Sequence, residues 1–356
     1  MSVPEAASAS TRLLAGKPEI PTRPVEACLG DPQSGSTVVA SGYDFEYRTC
    51  LNQFEIRRAN DCPLMFVFPQ PTSEALEVIY PPHYIPFQFN KLRGPTRWAR
   101  DFIQSGKARV ILRLAGTNGS ILDVGAGSGV LLRQIARIKG NRENLCANDS
   151  SESALASLQR EGFQVIRGLA ENLNSSRQFQ VITLNQVIEH MSDPRGVLAR
   201  LTELLAPAGY LFLETPSTDG LDARIFRKRY WGGYHIPRHF WLFNEASLTQ
   251  LLMELGLRVV DVRYLCSPVF WVQSFHHVLL DWGWVRWSRL ISERNPLLLA
   301  PFAAIDLLQI AVGNKTTNMR VVVQKAIARC LPSESEAPAV SMAQPQRLAR
   351  RTGSAR

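Results

Sequence analysis

Cysteine is scarce in this chain, six among 356 residues, and the six show no even spacing. That excludes the disulfide framework on which small secreted domains depend and points to a reducing cytoplasm. Long apolar runs are absent too. The nearest candidate for a membrane span, 296–313, carries Asp306 and Gln309, and a central aspartate costs about 2.5–3.5 kcal/mol on insertion scales. The opening MSVPEAASASTRLLAGKPEIPTRP lacks the continuous apolar core of a signal peptide, so 1–27 reads as a flexible leader. Negative charge is also short: 40 Lys and Arg against 31 Asp and Glu leave a net +9. Part of the excess falls on Arg347, Arg350, Arg351 and Arg356, within a stretch rich in Ala, Pro, Ser and Gln. The segment 329–356 therefore reads as a disordered basic tail, and no nucleic-acid partner is expected. No internal repeat is visible.

What is present is ordinary core material, 45% apolar, in a chain long enough for one large domain with additions or for two domains. From Ile121 onward short apolar runs alternate with amphipathic ones, the signature of a parallel α/β sheet. Strands are predicted at 121–124, 144–148, 163–167, 180–184, 210–214 and 258–265, with a last one at 319–325. Their near-continuous apolar character fits burial on both faces. Asp193-Pro194 opens a helix whose apolar face is Val197, Leu198, Leu201, Leu204 and Leu205, with Gly209 as its stop. Asn244 caps another, carrying Leu248, Leu251, Leu252 and Leu255 and ending at Gly256.

The chemistry begins at Leu122-Asp123-Val124-Gly125-Ala126-Gly127-Ser128-Gly129, where a strand gives way to a helix. Glycines at 125, 127 and 129 make G-x-G-x-G; the dinucleotide fingerprint needs a sixth-position glycine where this chain has Val130. A pyrophosphate requires a close helix N-terminus, whereas S-adenosylmethionine presents a carboxylate and an ammonium. Glycines admit its amino-acid end and Asp123 supplies a negative charge for the ammonium. One strand later, Asp149 can accept from both ribose hydroxyls; its competing reading is a helix N-cap, with Ser150 and Ser151 as rivals.

These runs, with GLAENL (168–173), FQVITLNQVIEHMSDP (179–194) and WGGYHIPRHFWLFNEASLTQLLMELGL downstream, resemble the class I S-adenosylmethionine-dependent methyltransferases over about 43–325. The resemblance implies a Rossmann-like α/β fold, a seven-stranded sheet with its last strand antiparallel, in a domain over 91–265 completed by a strand within 317–328. It implies S-adenosyl-L-methionine as cofactor, held by Asp123, Gly125, Ala126, Gly127 and Gly129, with the ribose on Asp149. Ala170 and Glu171 then lie beside the adenine, and Asn185 and Gln186 border the sulfonium. The position usually acidic before Ala170 is Leu169.

Gln186-Val187-Ile188-Glu189-His190 resembles the E-x-x-E-H of ubiquinone-type O-methyltransferases, whose two acids and histidine can bind a divalent metal. Glutamine at the first position is a poor ligand for a hard cation, so no metal is assigned. His190 is nominated as general base on its near-neutral ordinary pKa. His235 and His239 are the other candidates. Pro237 between them argues for a loop rather than a zinc-binding helix, and for a lid over the acceptor with Tyr230, Trp231 and Tyr234.

Before the methyltransferase region, 28–90 resembles the zinc ribbon of some relatives, but Asp31 and Ala59 stand where two of four cysteines belong, beside Cys28 and Cys62. The expectation is a degenerate ribbon that folds without metal. The span 266–316 is an apolar helical insertion holding Trp271, Trp282, Trp284 and Trp287. It reads as a cover for the sheet or a dimer contact, or as an interfacial helix meeting membrane through 270–313, with Arg286 and Arg289 at the headgroup boundary. The activity expected is O-methylation of a small-molecule, sugar or lipid-linked acceptor by a cytoplasmic enzyme, peripheral to the inner face of a membrane if that last reading holds. A catalytically impaired cofactor-binding scaffold is the alternative. Nucleic-acid methylation fits less well, because Asn185-Gln186-Val187-Ile188 lacks the proline and aromatic that grip a flipped base.

Overall fold

The computed structural model describes residues 14–25, 27–82, 84, 94–293 and 295–325. Most of the expected leader and all of the expected basic tail lie outside the described residues.

The N-terminal region builds three antiparallel strands, β1 (Ser36–Gly42), β2 (Phe54–Ala59) and β3 (Met65–Phe68). The central sheet then begins with β4 (Ile121–Val124), β5 (Leu145–Asp149), β6 (Gln164–Arg167), β7 (Phe179–Asn185) and β8 (Leu205–Pro216). A short β9 (Trp241–Leu242) follows, then β10 (Leu257–Tyr264) and β11 (Asn318–Lys325). The seven-stranded sheet has the order β10-β11-β8-β7-β4-β5-β6. The strands β4 to β8 pair parallel, while β11 runs antiparallel to both β8 and β10. All seven strands read from the sequence are present, and the last is antiparallel as the resemblance implied.

Alternation explains how the sheet is covered. Val321 and Val323 on β11 join one core with Leu122, Ile182 and Leu213, while Val322 joins the opposite core with Ile121, Val181 and Phe212. The first core is closed by α4 (Pro194–Leu204) and α5 (Glu245–Glu254), the second by α1 (Gly94–Ala115), α2 (Val130–Lys139) and α3 (Glu152–Arg160). Asp193 caps α4 through Gly196 N–H, and Asn244 forms a capping box with Ser247 on α5. Gly209 departs from its expected role: α4 stops at Leu204, and Gly209 lies inside β8 at a register shift between Leu205 and Tyr210. The strand takes over early because Leu205 already pairs with Phe179.

The N-terminal strands are not a free-standing unit. Trp241 and Leu242 pair with Phe66 and Met65, so β9 becomes the fourth strand of their sheet. Phe54, Ile56 and Val67 pack there against Trp231, Tyr234 and Ile236. The Cys62 thiol donates to the Leu29 carbonyl at 3.4 Å, and burial pushes the Cys28 thiol up to about 12. Neither cysteine belongs to a group of three ligating side chains among the described residues.

The insertion forms α6 (Val269–Asp281) and α7 (Pro296–Ala311). Asp306 is buried between them, accepting from Ser267 N–H at 2.8 Å and from the Trp271 indole at 3.0 Å. Among the described residues no helix is long and apolar enough to cross a membrane.

Candidate functional site

At the carboxyl end of β4 the chain turns through three glycines with positive φ, Gly125 (+66°), Gly127 (+51°) and Gly129 (+70°). They are required for different reasons. A Cβ on Gly129 would meet Leu158 Cδ2 at 2.3 Å, and one on Gly125 would meet Val187 Cγ2 at 2.6 Å, so both allow close packing. A Cβ on Gly127 would meet nothing within 4 Å. Its open side is where a ligand backbone can approach. The Ala126 N–H is committed to the Asn148 carbonyl at 2.9 Å, which fixes the loop on β5.

Asp149, at the end of β5, accepts from Gly127 N–H at 2.7 Å through one oxygen and from Ser151 N–H at 2.8 Å through the other. The cap of α3 is Ser151, whose hydroxyl accepts from Ala154 N–H. Each carboxylate oxygen of Asp149 retains a second lone pair that can take a hydroxyl. Asp123 is buried below the loop and accepts from the Thr183 hydroxyl. Burial pushes its carboxyl up to about 6, against Thr183 and Lys107, which lower it. An ammonium at this point would favour the ionised form.

Ala170 is buried in a short turn, and the Glu171 carboxylate accepts from Ser192 N–H and hydroxyl, both at 3.2 Å. Leu169 is 47% exposed and offers an apolar surface where an acid is usual. Asn185 ends β7 and accepts from Lys107 Nζ at 2.5 Å; the same ammonium pairs with Glu214 at 2.5 Å, and Arg320 holds the other Glu214 oxygen at 2.6 Å. The buried Lys107 on α1 was not legible in the sequence, since no motif marks it. Gln186 has φ +54° and is exposed; its amide donates to Asn318 at 3.1 Å, and it joins no acid cluster.

The three candidate histidines come from two distant segments and meet in one cluster. Ring centroids are 4.7 Å apart for His190–His239 and for His235–His239, and 6.2 Å for His190–His235. His190 Nδ1 lies 3.0 Å from both the Arg238 carbonyl and the Tyr80 hydroxyl. His239 Nδ1 lies 2.8 Å from the Gly233 carbonyl. Burial pushes His190 down to about 3 and His239 well below its ordinary value, so both imidazoles are neutral at pH 7. Beside them Glu189 is buried, accepts from the Thr215 hydroxyl at 2.9 Å, and has a second oxygen with no hydrogen-bond partner. Burial raises its carboxyl to about 8.

His235 differs. Its Nδ1 meets the Glu46 carboxylate, and its Nε2 lies 3.3 Å from the Tyr84 hydroxyl. Burial would raise Glu46, but His235 outweighs it and holds the carboxyl below its ordinary value. A carboxylate on Nδ1 of a histidine fixes the tautomer with Nε2 as the proton acceptor. Glu46 lies 189 residues away in sequence and was not foreseen. Nor was Asp44, which grips Arg238 with contacts of 2.9 and 3.1 Å, both side chains fully buried.

A cavity of about 190 Å³ opens beyond the end of β8, lined in part by Arg58, Thr218, Arg224, Arg227 and Asn244. None of the three arginines forms an ion pair with a described carboxylate.

Comparison with known proteins places these features in company. A family model described as a methyltransferase domain matches residues 97–262. A ubiquinone biosynthesis O-methyltransferase of Xanthomonas axonopodis pv. citri is 32% identical over 172 residues, 43% of this chain and 68% of that protein. The enzyme of the same name from Thiobacillus denitrificans is 28% identical over 157 residues, covering 40% and 66%. The chain spans 42–66% of the length of the first three curated relatives it matches. A solved SAM-dependent methyltransferase from Archaeoglobus fulgidus is similar at 18% identity and a TM-score of 0.43, covering 68% of this chain and all of that one.

Proposed function

We propose, from the premise that this chain belongs to the class I S-adenosylmethionine-dependent methyltransferases, that it moves a methyl group to a hydroxyl oxygen of a small or lipid-linked acceptor. The observation that carries this reading is the adjacency of two constructions. One is a glycine loop closed by Asp149 at the carboxyl ends of parallel strands; the other is a cluster of three histidines just past β7, the strand that pairs with β4. Oxygen as the acceptor atom is supported by the relatives, which are named as O-methyltransferases.

S-adenosyl-L-methionine supplies an activated methyl when bound. The residues have the remaining tasks. Asp123, Gly125, Ala126, Gly127 and Gly129 take the amino-acid end, Asp149 takes the ribose, and Leu169, Ala170 and Glu171 flank the base. Asn185, positioned by Lys107, borders the methyl. Since the methyl needs no further activation, the protein chiefly aligns the acceptor in line and excludes water. The lid serves exclusion: the buried Arg238 ties it to Asp44 of the N-terminal region. Proton removal from the hydroxyl falls to the histidine cluster. His235 with Glu46 has the carboxylate-oriented arrangement of a general base. His190, nominated from its near-neutral ordinary value, and His239 are depressed by burial and are too weakly basic for that task, so they position the cluster instead.

A lipid-linked acceptor is supported by the insertion. Trp282, Trp284 and Trp287 are 54–63% exposed, Leu297 is 81% exposed, and Arg286 and Arg289 are exposed beside them. An apolar, aromatic face bordered by arginines suits the headgroup boundary of the inner, anionic face of a membrane. The test is a transfer assay with methyl-labelled cofactor on cell extract, resolved into lipid, small-molecule and macromolecular fractions. Label in a lipid or small-molecule methyl ether supports the proposal; label only in nucleic acid, or none with properly folded protein, overturns it.

A further inference from the structure

We infer that the cavity beyond the end of β8 binds a phosphate or diphosphate group, and that this group belongs to the acceptor; the second half rests on the methyltransfer reading above. The space measures about 190 Å³. A single water needs about 10–15 Å³, so the cavity admits a group of several heavy atoms.

Three guanidiniums reach it from two distant segments. Arg58 comes from β2, where it pairs with Met65, and Arg224 and Arg227 come from the short helix Leu221–Ile225 and the turn after it. Neighbouring arginines are matched: Arg57 pairs with Glu55 at 2.7 Å and Arg229 with Asp281 at 3.0 Å. The three that line the cavity have no described carboxylate at ion-pair distance. Asp219 is the one carboxylate in the lining among the described residues, and it is taken by the Lys315 ammonium at 3.1 Å and the Tyr264 hydroxyl at 3.3 Å. Like charges gathered without a counter-ion repel one another, and an anion in the cavity removes that repulsion.

Neutral donors complete the lining. Thr218 presents a hydroxyl, and Asn244 accepts from Ser247 N–H at 2.8 Å through its side-chain oxygen, which leaves its NH2 group to donate. Arginine forks match phosphate oxygens bidentately. Three forks, a hydroxyl and an amide exceed what the two oxygens of a carboxylate can use, and suit a phosphate or diphosphate.

The position of the cavity ties it to the acceptor. Thr218 stands four residues past Glu214, whose register partner on β7 is Asn185, and four residues span at most about 14 Å. One wall is formed by Trp231 and Tyr234, whose ring centroids are 5.1 Å apart and which also line the pocket holding Glu46 and His235. A phosphate among the arginines and a hydroxyl at His235 can therefore belong to one molecule, bound across this aromatic pair.

The test is calorimetric titration of the full chain, without cofactor or turnover, using sodium pyrophosphate, uridine diphosphate and farnesyl diphosphate. Expected is one equivalent of pyrophosphate per chain, displaced by both larger ligands; whichever binds more tightly than pyrophosphate tells a soluble, nucleotide-borne phosphate from a lipid-borne one. Arg224→Gln and Arg227→Gln should each weaken pyrophosphate by about tenfold or more, as loss of a charged hydrogen-bond donor. Their melting temperatures should stay unchanged, because both side chains are exposed. Arg258→Gln, an equal loss of charge on β10 outside the lining, should leave the affinity within about threefold. Pyrophosphate that fails to bind, that binds both cavity variants as tightly as wild type, or that is weakened equally by Arg258→Gln overturns the site. Pyrophosphate that neither larger ligand displaces overturns its assignment to the acceptor. Because no methyl is transferred here, a failed transfer assay with pyrophosphate still bound refutes the methyltransfer reading and leaves the anion site standing.

Discussion

Replacing Asp44 by Asn should unfasten the lid, at a cost the geometry allows one to size. Both Asp44 and Arg238 are fully buried, and the guanidinium also donates to the Ile79 carbonyl at 2.6 Å and lies 4.4 Å from the Tyr47 ring. Asp44→Asn removes the anion and strands the cation in a site it cannot leave. Breaking a buried pair in this way costs about 3–5 kcal/mol, a large share of a typical stability of about 5–15 kcal/mol. The same pair predicts an acid response. Burial would raise Asp44, but Arg238 outweighs it and brings the carboxyl from 3.8 to about 2. A carboxylate depressed on folding contributes stability that is fully present above its unfolded value and lost as pH falls through its folded one. At about 1.4 kcal/mol per unit this is about 2 kcal/mol, disappearing between roughly pH 4 and pH 2. Urea melts at pH 7 and across that acid window, on wild type, Asp44→Asn, Arg238→Met and the double variant, supply the cycle. Each single change should cost about 3–5 kcal/mol and the double should fall well short of their sum. If Asp44→Asn lies within about 0.5 kcal/mol of wild type, or the two changes add, the pair does not anchor the lid and the reasoning fails.

Gly127→Val should abolish binding of S-adenosylmethionine with little loss of fold, while Gly129→Ala, driven onto Leu158, should cost about 1–3 kcal/mol in stability; calorimetry and melting separate the two, and cofactor bound by Gly127→Val at wild-type affinity would sink the loop assignment. His235→Ala should lower turnover by about 10²–10⁴, as loss of the general base, and His190→Ala by less. Because burial holds His190 near 3, its deprotonated form persists throughout the neutral range. It should therefore contribute no ascending limb near pH 6.5 to the rate profile, and such a limb vanishing in His190→Ala would contradict the burial argument. Trp282→Ser with Trp287→Ser should remove most sedimentation with anionic vesicles while leaving the melting temperature unchanged, and undiminished sedimentation would dismiss the insertion as a membrane face.

Residues within a few positions of one another were legible because local forces decide them. Alternation placed the strands, Asp193-Pro194 and Asn244 opened their helices, and the G-x-G-x-G run announced a turn that needs positive φ. Gly209 was misread because the partner that claims Leu205 for a strand is Phe179 on β7, outside any local window. The acceptor side of the site is of that second kind throughout. Glu46 reaches His235 across 189 residues, Asp44 reaches Arg238 across 194, and Tyr80 reaches His190 across 110. No periodicity or spacing encodes such pairs. The sequence by itself determined the parallel sheet, its glycine loop and the acid on the second strand. The histidine cluster and the charges that set it were decided only when β9 paired with β3, because that one ladder brings the N-terminal strands and the lid against the end of β7, where burial turns ordinary side chains into a site.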